Sequence, residues 1–336
     1  MRQVAFVAGM LLSSFAVACG GGDAPPPGPT AGRQFLSLGT APPGGAFFVV
    51  GAALSEVLDQ EGGDDWQVTA EATKGSMENI RRLDAGEMDF ALANAAITYF
   101  AARGEAGWSK PYPMQVVMTL APNVALFITR QDSGIKKLAD LKGQRVVVGP
   151  AGAGFEYFLR PLLEAHGVTF EDFTALHNTQ SGAVDMLSDR SAAVAFIGGA
   201  VPTASITQAS ASQDIHFIPF EPRAVEQLVA EYRFFSPATI PAGTYRGQDV
   251  EFRGLDVGSM HLITAAATDA DLVYRVTRTI YENRDKVTAK HPAGRAIHAG
   301  NVGRDTGVEF HPGAVRYYRE IGIWPETGEA AGDGAS

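Results

Sequence analysis

Apolar and polar positions follow a repeating order along this chain: a short apolar run, a turn rich in glycine and proline, then a stretch with apolar residues three and four apart. That order predicts strand, turn and helix in succession, the mark of α/β layers on a mostly parallel sheet. Early strands are expected at Phe35–Leu38, Val68–Ala72 and Asp89–Ala93, with helices beginning near Gly45, Ser76 and Ala95. The apolar runs Met114–Leu120 and Val124–Thr129 are separated only by Ala121-Pro122-Asn123, and the second is expected to leave the first lobe. A second block then offers a strand at Arg145–Val148, helices at Phe155–His166 and Ala183–Ser188, and a strand at Ala193–Ile197, ending near Phe217-Ile218-Pro219. Beyond it come a helix at Pro222–Tyr232, an irregular segment PATIPAGTYRGQD, a strand around His261–Ala266 and a long helix from Asp271 to Val287. The expected path is lobe 1 (34–123), lobe 2 (124–218), lobe 1 again (219–325) and a disordered tail (326–336).

The first residues bear on the compartment. Arg2 precedes an apolar stretch from Val4 to Ala18 that closes on the small residues Ala16, Val17 and Ala18 before Cys19, the pattern of a secretory signal peptide over 1–18. The stretch is short for a membrane span. Cys19 is the only cysteine, so no internal disulfide forms, and Ala16-Val17-Ala18-Cys19 fits a lipobox whose thiol is acylated. An ordinary signal-peptidase site nearby, leaving a free thiol, is the competing reading. The following GGGDAPPPGPTAG has no apolar residues to pack and reads as a flexible tether over 19–33. The expected location is the periplasm or cell surface, with membrane contact only through the lipid.

From Gln34 about 300 residues remain, enough for a bilobed unit with a sizeable core. A formal charge of −10, with no Lys/Arg run, argues against nucleic acid or an anionic membrane as partner. In an open sheet, ligands lie beyond the carboxyl ends of the strands, so the turns leaving the strands are the places to search. Three are distinctive: Gly39-Thr-Ala-Pro-Pro-Gly-Gly45, Thr73-Lys-Gly-Ser76 and Gly149-Pro-Ala-Gly-Ala-Gly154. Each delivers the chain into a helix whose first N–H groups are unpaired and whose dipole favours a negative group, so three such ends on one cleft would hold a carboxylate. Any one of them alone is explained by tight turn geometry. Ser76 also suits an N-cap, with Glu78 in the first turn. Lys74 is the only basic residue in the three turns.

Enzyme signatures are missing: no P-loop, no dinucleotide fingerprint, no Gly-x-Ser-x-Gly and no His-Glu-x-x-His. The seven histidines are scattered, and His291-Pro292 and His311-Pro312 read as turns rather than metal sites. No metal and no cofactor are expected. Of the pair Phe47-Phe48, one ring is expected in the core, and Tyr317-Tyr318 reads as packing.

With these motifs in view, the chain resembles the TAXI solute receptors of TRAP (tripartite ATP-independent periplasmic) transporters from about Phe35 to Glu320. The matching stretches are LGTAPPGGAFFVVGAALSEVL, TKGSMENIRRLDAGEMDFALA, DSGIKKLADLKGQRVVVGPAGAG, GGAVP at Gly198–Pro202, TIPAGTY at Thr239–Tyr245 and HPGAVRYY at His311–Tyr318. The resemblance implies a two-lobed type II periplasmic binding fold with a hinge, a monomer without catalysis, a small organic anion as ligand, and a Na⁺-coupled TRAP permease as partner. It also implies that Thr40, Phe47, Ser76, Asn79 and Asn94 face the cleft from the first lobe, and Ala153, Gly154, Phe155 and Gly198-Gly199 through Pro202 from the second.

Four departures fall on those positions. Lys74-Gly75 stands where the family usually has Gly-Gly, Gly152-Ala153-Gly154-Phe155 where it has Gly-Ser-Gly-Thr, Phe47-Phe48 where a tyrosine pair is common, and Asn94-Ala95-Ala96 where Gln-Ser-Asp is usual. They leave the fold in place and unsettle the ligand. A lipoprotein presenting its ligand to a membrane sensor, or an enzyme on the same bilobed fold, stand as alternatives.

Overall fold

The computed structural model describes residues 33–43 and 45–324, so Cys19, the signal segment, most of the tether and the tail lie outside the described residues. Twelve strands form two sheets: β1 (Gln34–Gly39), β2 (Trp66–Glu71), β3 (Phe90–Asn94), β4 (Met114–Thr119), β5 (Val124–Arg130), β6 (Arg145–Val147), β7 (Thr174–Leu176), β8 (Val194–Gly199), β9 (Ile215–Ile218), β10 (Phe235–Ile240), β11 (Phe252–Val257) and β12 (Met260–Ala265). The first sheet runs β2-β1-β3-β12-β4, with β1, β2 and β3 parallel and β12 antiparallel to its neighbours. The second runs β10-β11-β5-β8-β6-β7, with β9 also paired to β5. The two-lobed α/β architecture matches the repeating pattern, but both sheets are mixed rather than mostly parallel, with antiparallel pairs predominating in the second sheet.

Each lobe has its own apolar core. Leu38, Leu54, Leu58, Trp66, Leu262, Tyr317 and Tyr318 fill the first, and Phe127, Phe158, Phe196, Phe234 and Leu255 the second. Burying each such side chain contributes about 1.5–3 kcal/mol. Helix α1 (Ala46–Glu61) packs on the first sheet, and α2 (Ser76–Asp84) and α3 (Ala95–Arg103) follow β2 and β3. In the second lobe α4 (Glu156–Ala165) follows β6 and α5 (Gln180–Ser188) follows β7. The long helix expected from Asp271 to Val287 is instead two, Ala270–Glu282 and Arg284–Lys290, broken at Asn283.

The return to the first lobe comes later than expected. Residues 219–257, assigned above to lobe 1, include β10 and β11, which pair with each other and join the second sheet through β5. The segment around Pro237 reads as irregular because proline cannot donate to a ladder; β10 tolerates it because β10 is an edge strand. The crossings between lobes are therefore Leu120–Asn123 and Gly258-Ser259, and they lie side by side: Leu120 N–H donates to Met260 O at 2.7 Å, Met260 N–H to Ala121 O at 2.9 Å and Val257 N–H to Asn123 O at 3.0 Å.

Buried Asp256 gathers both crossings. Its Oδ1 accepts from the N–H groups of Asn123 (2.9 Å) and Gly258 (3.2 Å), and its Oδ2 from Ser259 Oγ (2.6 Å) and Arg304 Nη2 (3.4 Å). Burial pushes this carboxyl up from its ordinary range, while Arg304 and the hydrogen bonds act the other way.

Candidate functional site

Between the lobes, at the carboxyl ends of both sheets, lies a cleft of about 780 Å³, its open mouth included. The first lobe contributes Ala41–Pro43 and Gly45–Phe47 from the β1–α1 turn, Lys74–Ser76 from the β2–α2 turn, and Asn94 and Ile97 at the start of α3. Facing them are Pro150, Ala153, Phe155 and Phe158 from the β6–α4 region, Thr179–Ser181 at the start of α5, and Gly198 at the end of β8. Asn123, on the first crossing, forms part of the wall between. All three glycine-rich turns singled out in the sequence thus reach one space.

The turns are fixed by hydrogen bonds that explain their composition. Thr73 Oγ1 donates to Thr40 O (3.1 Å) and accepts from Gly75 N–H (3.1 Å), tying the first turn to the second. Gly75, at φ 106° and ψ −159°, occupies backbone space that side chains disfavour, and it caps α2 in place of Ser76, which is the first helical residue. Ser76 is buried; its Oγ accepts from Asn94 N–H (3.0 Å) while its own proton is free for the cleft. Asn94 caps α3, its Oδ1 accepting from Ala96 N–H (2.9 Å), while its Nδ2 donates to Gly258 O (2.7 Å) on the second crossing. Lys74 is exposed at the mouth, and its N–H donates to Glu78 Oε2 (3.1 Å).

The residues expected in the cleft divide into two groups. Phe47, Lys74, Ser76, Asn94, Ala153, Phe155 and Gly198 line it. Thr40 and Asn79 do not: both are fully buried behind the wall, Thr40 Oγ1 donating to Glu71 O (2.9 Å) and Asn79 Nδ2 to Thr40 O (2.8 Å) and Leu92 O (2.7 Å). Thr40 Oγ1 and Asn79 Nδ2 are used in bracing the turns, while Asn79 Oδ1 is buried without a partner among the described residues. Gly154 sits at the contact between lobes, where at φ 87° an added Cβ would lie 2.9 Å from Met77 Cγ and Ile97 Cδ1. Gly199 is near Thr203, outside the cleft lining. Asn123, Ile97, Phe158 and the Thr179–Ser181 turn were not legible as lining residues. Thr179 caps α5, its Oγ1 accepting from Gly182 N–H (3.1 Å), but the preceding strand β7 has only three residues and leaves little apolar signal.

Five helices, α1 to α5, thus begin at one cleft, each with an N-terminal partial charge of about +0.5, although the first N–H groups of α3 are already taken by Ser259 O and Asn94 Oδ1. Lys74 is the titratable side chain among the described lining residues, so the chemistry on offer is hydrogen bonding and charge complementarity rather than acid–base work. Phe47, Ile97, Phe155 and Phe158 supply apolar wall. Phe155 is turned toward its own lobe, its ring 5.2 Å from Phe158 and 5.8 Å from Phe196. His291 and His311 accept from the N–H groups of Ala293 (3.1 Å) and Gly313 (3.2 Å), a capping role.

Residues 38–322 match the NMT1-like family. The chain belongs to that family. Solved structures of like fold include PhnD1 from Prochlorococcus marinus (MIT 9301) in complex with methylphosphonate, 9% identical, with a TM-score of 0.55 over 85% of this chain and 95% of that one. A protein of Bordetella bronchiseptica RB50 is 13% identical, with a TM-score of 0.51 over 89% and 92%. A structure concerned with glutathione import via GshT and the cystine ABC importer TcyBC of Streptococcus mutans is 12% identical, with a TM-score of 0.50 over 77% and 93%. The resemblance to TAXI receptors of TRAP transporters is thereby corrected: the match is to the NMT1-like family, and these neighbours are a methylphosphonate complex and a component of an import system described with an ABC importer. Glycine- and serine-rich turns feeding helices serve any bilobed chain that opens helix N-termini onto a cleft, so those motifs do not separate one receptor class from another. What the neighbours establish for this NMT1-like chain is the fold, that of two-lobed periplasmic binding proteins.

Proposed function

We propose that the chain is an extracytoplasmic solute-binding receptor that captures a small organic anion between its lobes and passes it to a membrane transporter. One observation carries this reading: five helix N-termini, drawn from both lobes, open on a single cleft whose wall also carries the apolar side chains of Phe47, Ile97, Phe155 and Phe158. Such ends bind a carboxylate, phosphonate or sulfonate head group without a dedicated cation. Phe155 and Ala153 stand in that wall without a hydroxyl, which favours a singly charged head on an apolar body over a doubly charged acid. The methylphosphonate complex of like fold agrees with the phosphonate arm of this reading.

Thermal-shift screening of the mature chain against short alkylphosphonates, alkanesulfonates, carboxylates and dicarboxylates, followed by calorimetry, tests it. A ligand at 100 times its Kd adds about 2.7 kcal/mol to stability, a readily measured shift. Singly charged anions with apolar bodies are expected to bind, and Ala153→Ser with Phe155→Thr to move the preference toward dicarboxylates. Binding of neutral solutes alone, or turnover of any solute, would overturn the proposal.

A further inference from the structure

Asn123 stands apart from the rest of the cleft wall. Its backbone belongs to the hinge, the N–H donating to Asp256 Oδ1 (2.9 Å) and the carbonyl accepting from Val257 N–H (3.0 Å). The residue is 6% exposed, and its side chain lines the cleft without a hydrogen-bond partner among the described residues. Its amide atoms keep solvent access through the cleft, where a ligand can reach them. Gly198 keeps space for it: a Cβ there would lie 3.0 Å from Asn123 Oδ1. Other polar groups of the wall include the Ser76 hydroxyl and Gln180, whose Nε2 donates to Gly198 O (2.5 Å).

We infer that Asn123 is a specificity-determining residue, its carboxamide hydrogen-bonding an uncharged hydroxyl or oxo oxygen that the anion carries beside its acidic head group. The helix N-termini provide for the head. A second negative charge at Asn123 would meet Oδ1 as well as Nδ2, with the cleft's Lys74 away at the exposed mouth. A hydroxyl uses both ends of the carboxamide and an oxo group uses Nδ2. The ligand class is therefore a hydroxy- or oxo-substituted monoanion. This rests on the solute-binding reading above.

The test is calorimetry on the mature chain with matched pairs: 2-hydroxyisovalerate and 2-oxoisovalerate against isovalerate, and hydroxymethylphosphonate against methylphosphonate. The wild type is expected to bind the oxygenated member of at least one pair about tenfold tighter, and Asn123→Leu, close in shape but unable to hydrogen-bond, to erase that preference while leaving the plain anion within about threefold. Asn123→Asp, which keeps the backbone bonds, is expected to weaken every anion by more than about tenfold and to spare a neutral amide analogue. Equal affinities within every pair for the wild type, or a preference that survives Asn123→Leu, would overturn the inference while leaving the receptor reading intact. Absence of binding by any anion would overturn both.

Discussion

His261 lies on β12, between β3 and β4 in the first sheet, fully buried, with Nδ1 3.0 Å from Thr98 Oγ1 and Nε2 2.9 Å from Thr306 Oγ1. Burial, and secondarily the positive charge of Arg304, lowers its pKa from 6.5 to about 3. The folded state thus holds this imidazole neutral where the unfolded chain takes up a proton. Because the folded value is depressed, the stability it represents is present above pH 6.5 and is lost as pH falls toward 3. Between pH 7.5 and 4.5 two units of that interval are crossed, so the wild type should lose about 2.7 kcal/mol from this group, at about 1.36 kcal/mol per unit. His166, His216, His291 and His311 are lowered as well, so the measurement is a difference. Urea unfolding of the wild type and of His261→Gln, at both pH values, isolates the term. The variant should be less stable at pH 7.5 for want of one of the two hydroxyl contacts, and should lose about 2.7 kcal/mol less than the wild type on acidification. Equal losses in the two proteins would refute the assignment of a neutral, acid-vulnerable His261.

Three further outcomes are expected. Gly154→Ala places a Cβ at positive φ against Met77 and Ile97 across the lobes, with backbone strain of about 1–2 kcal/mol, and should weaken ligand about tenfold and enlarge the liganded radius of gyration in small-angle scattering; unchanged affinity would exclude that contact from the bound state. Asn94→Ala removes the α3 cap and strands the Gly258 carbonyl, and should cost about 2–4 kcal/mol in denaturant unfolding, a loss below about 0.5 kcal/mol being the contrary result. Mass spectrometry of native protein should find an acylated N-terminal Cys19, absent in Cys19→Ser; a soluble wild-type product beginning elsewhere would remove the anchor from the reading.

The sequence made the strand–turn–helix units of the β2–α2 and β6–α4 turns legible because Gly75, Gly149, Gly152 and Gly154 all adopt positive φ, which glycine takes without steric cost, whereas the β3–α3 and β7–α5 turns carry no glycine. It misled where a residue's usual preference is overruled by position. Pro237 reads as a strand breaker and sits in an edge strand. Asn123 reads as a spacer between two apolar runs, although its neighbours in space come from residues about 130 positions away, which no local pattern carries. Thr40 and Asn79 have the chemistry of ligand contacts, and only the position of their hydrogen-bond partners shows that they face inward. The motif strings carried the fold, and the receptor class read from them was the part that the family match corrected.

How such a cleft could open is constrained by α3. It follows a strand of the first sheet, yet Ala95 and Ala96 are fully buried in the core of the second lobe, and the rings of Tyr99 and Phe100 lie 5.1 and 5.7 Å from Phe234. Separating those surfaces would expose two aromatic side chains, at a cost of about 1.5–3 kcal/mol each on full exposure. On the α4 side, Gly154 meets Met77 and Ile97 and the Tyr157 ring lies 5.8 Å from Trp108, whereas the cleft mouth beside Lys74 is open. Bending therefore has its lowest cost when the α3 and α4 packing stays in place, the paired crossings at Leu120–Asn123 and Gly258-Ser259 act as the pivot, and the β1–α1 turn moves away from α5. Asp256 keeps both crossings together during such a motion, since its oxygens bond groups of each. Asn123 then lies at the pivot itself, where a ligand held by its side chain would load the hinge directly.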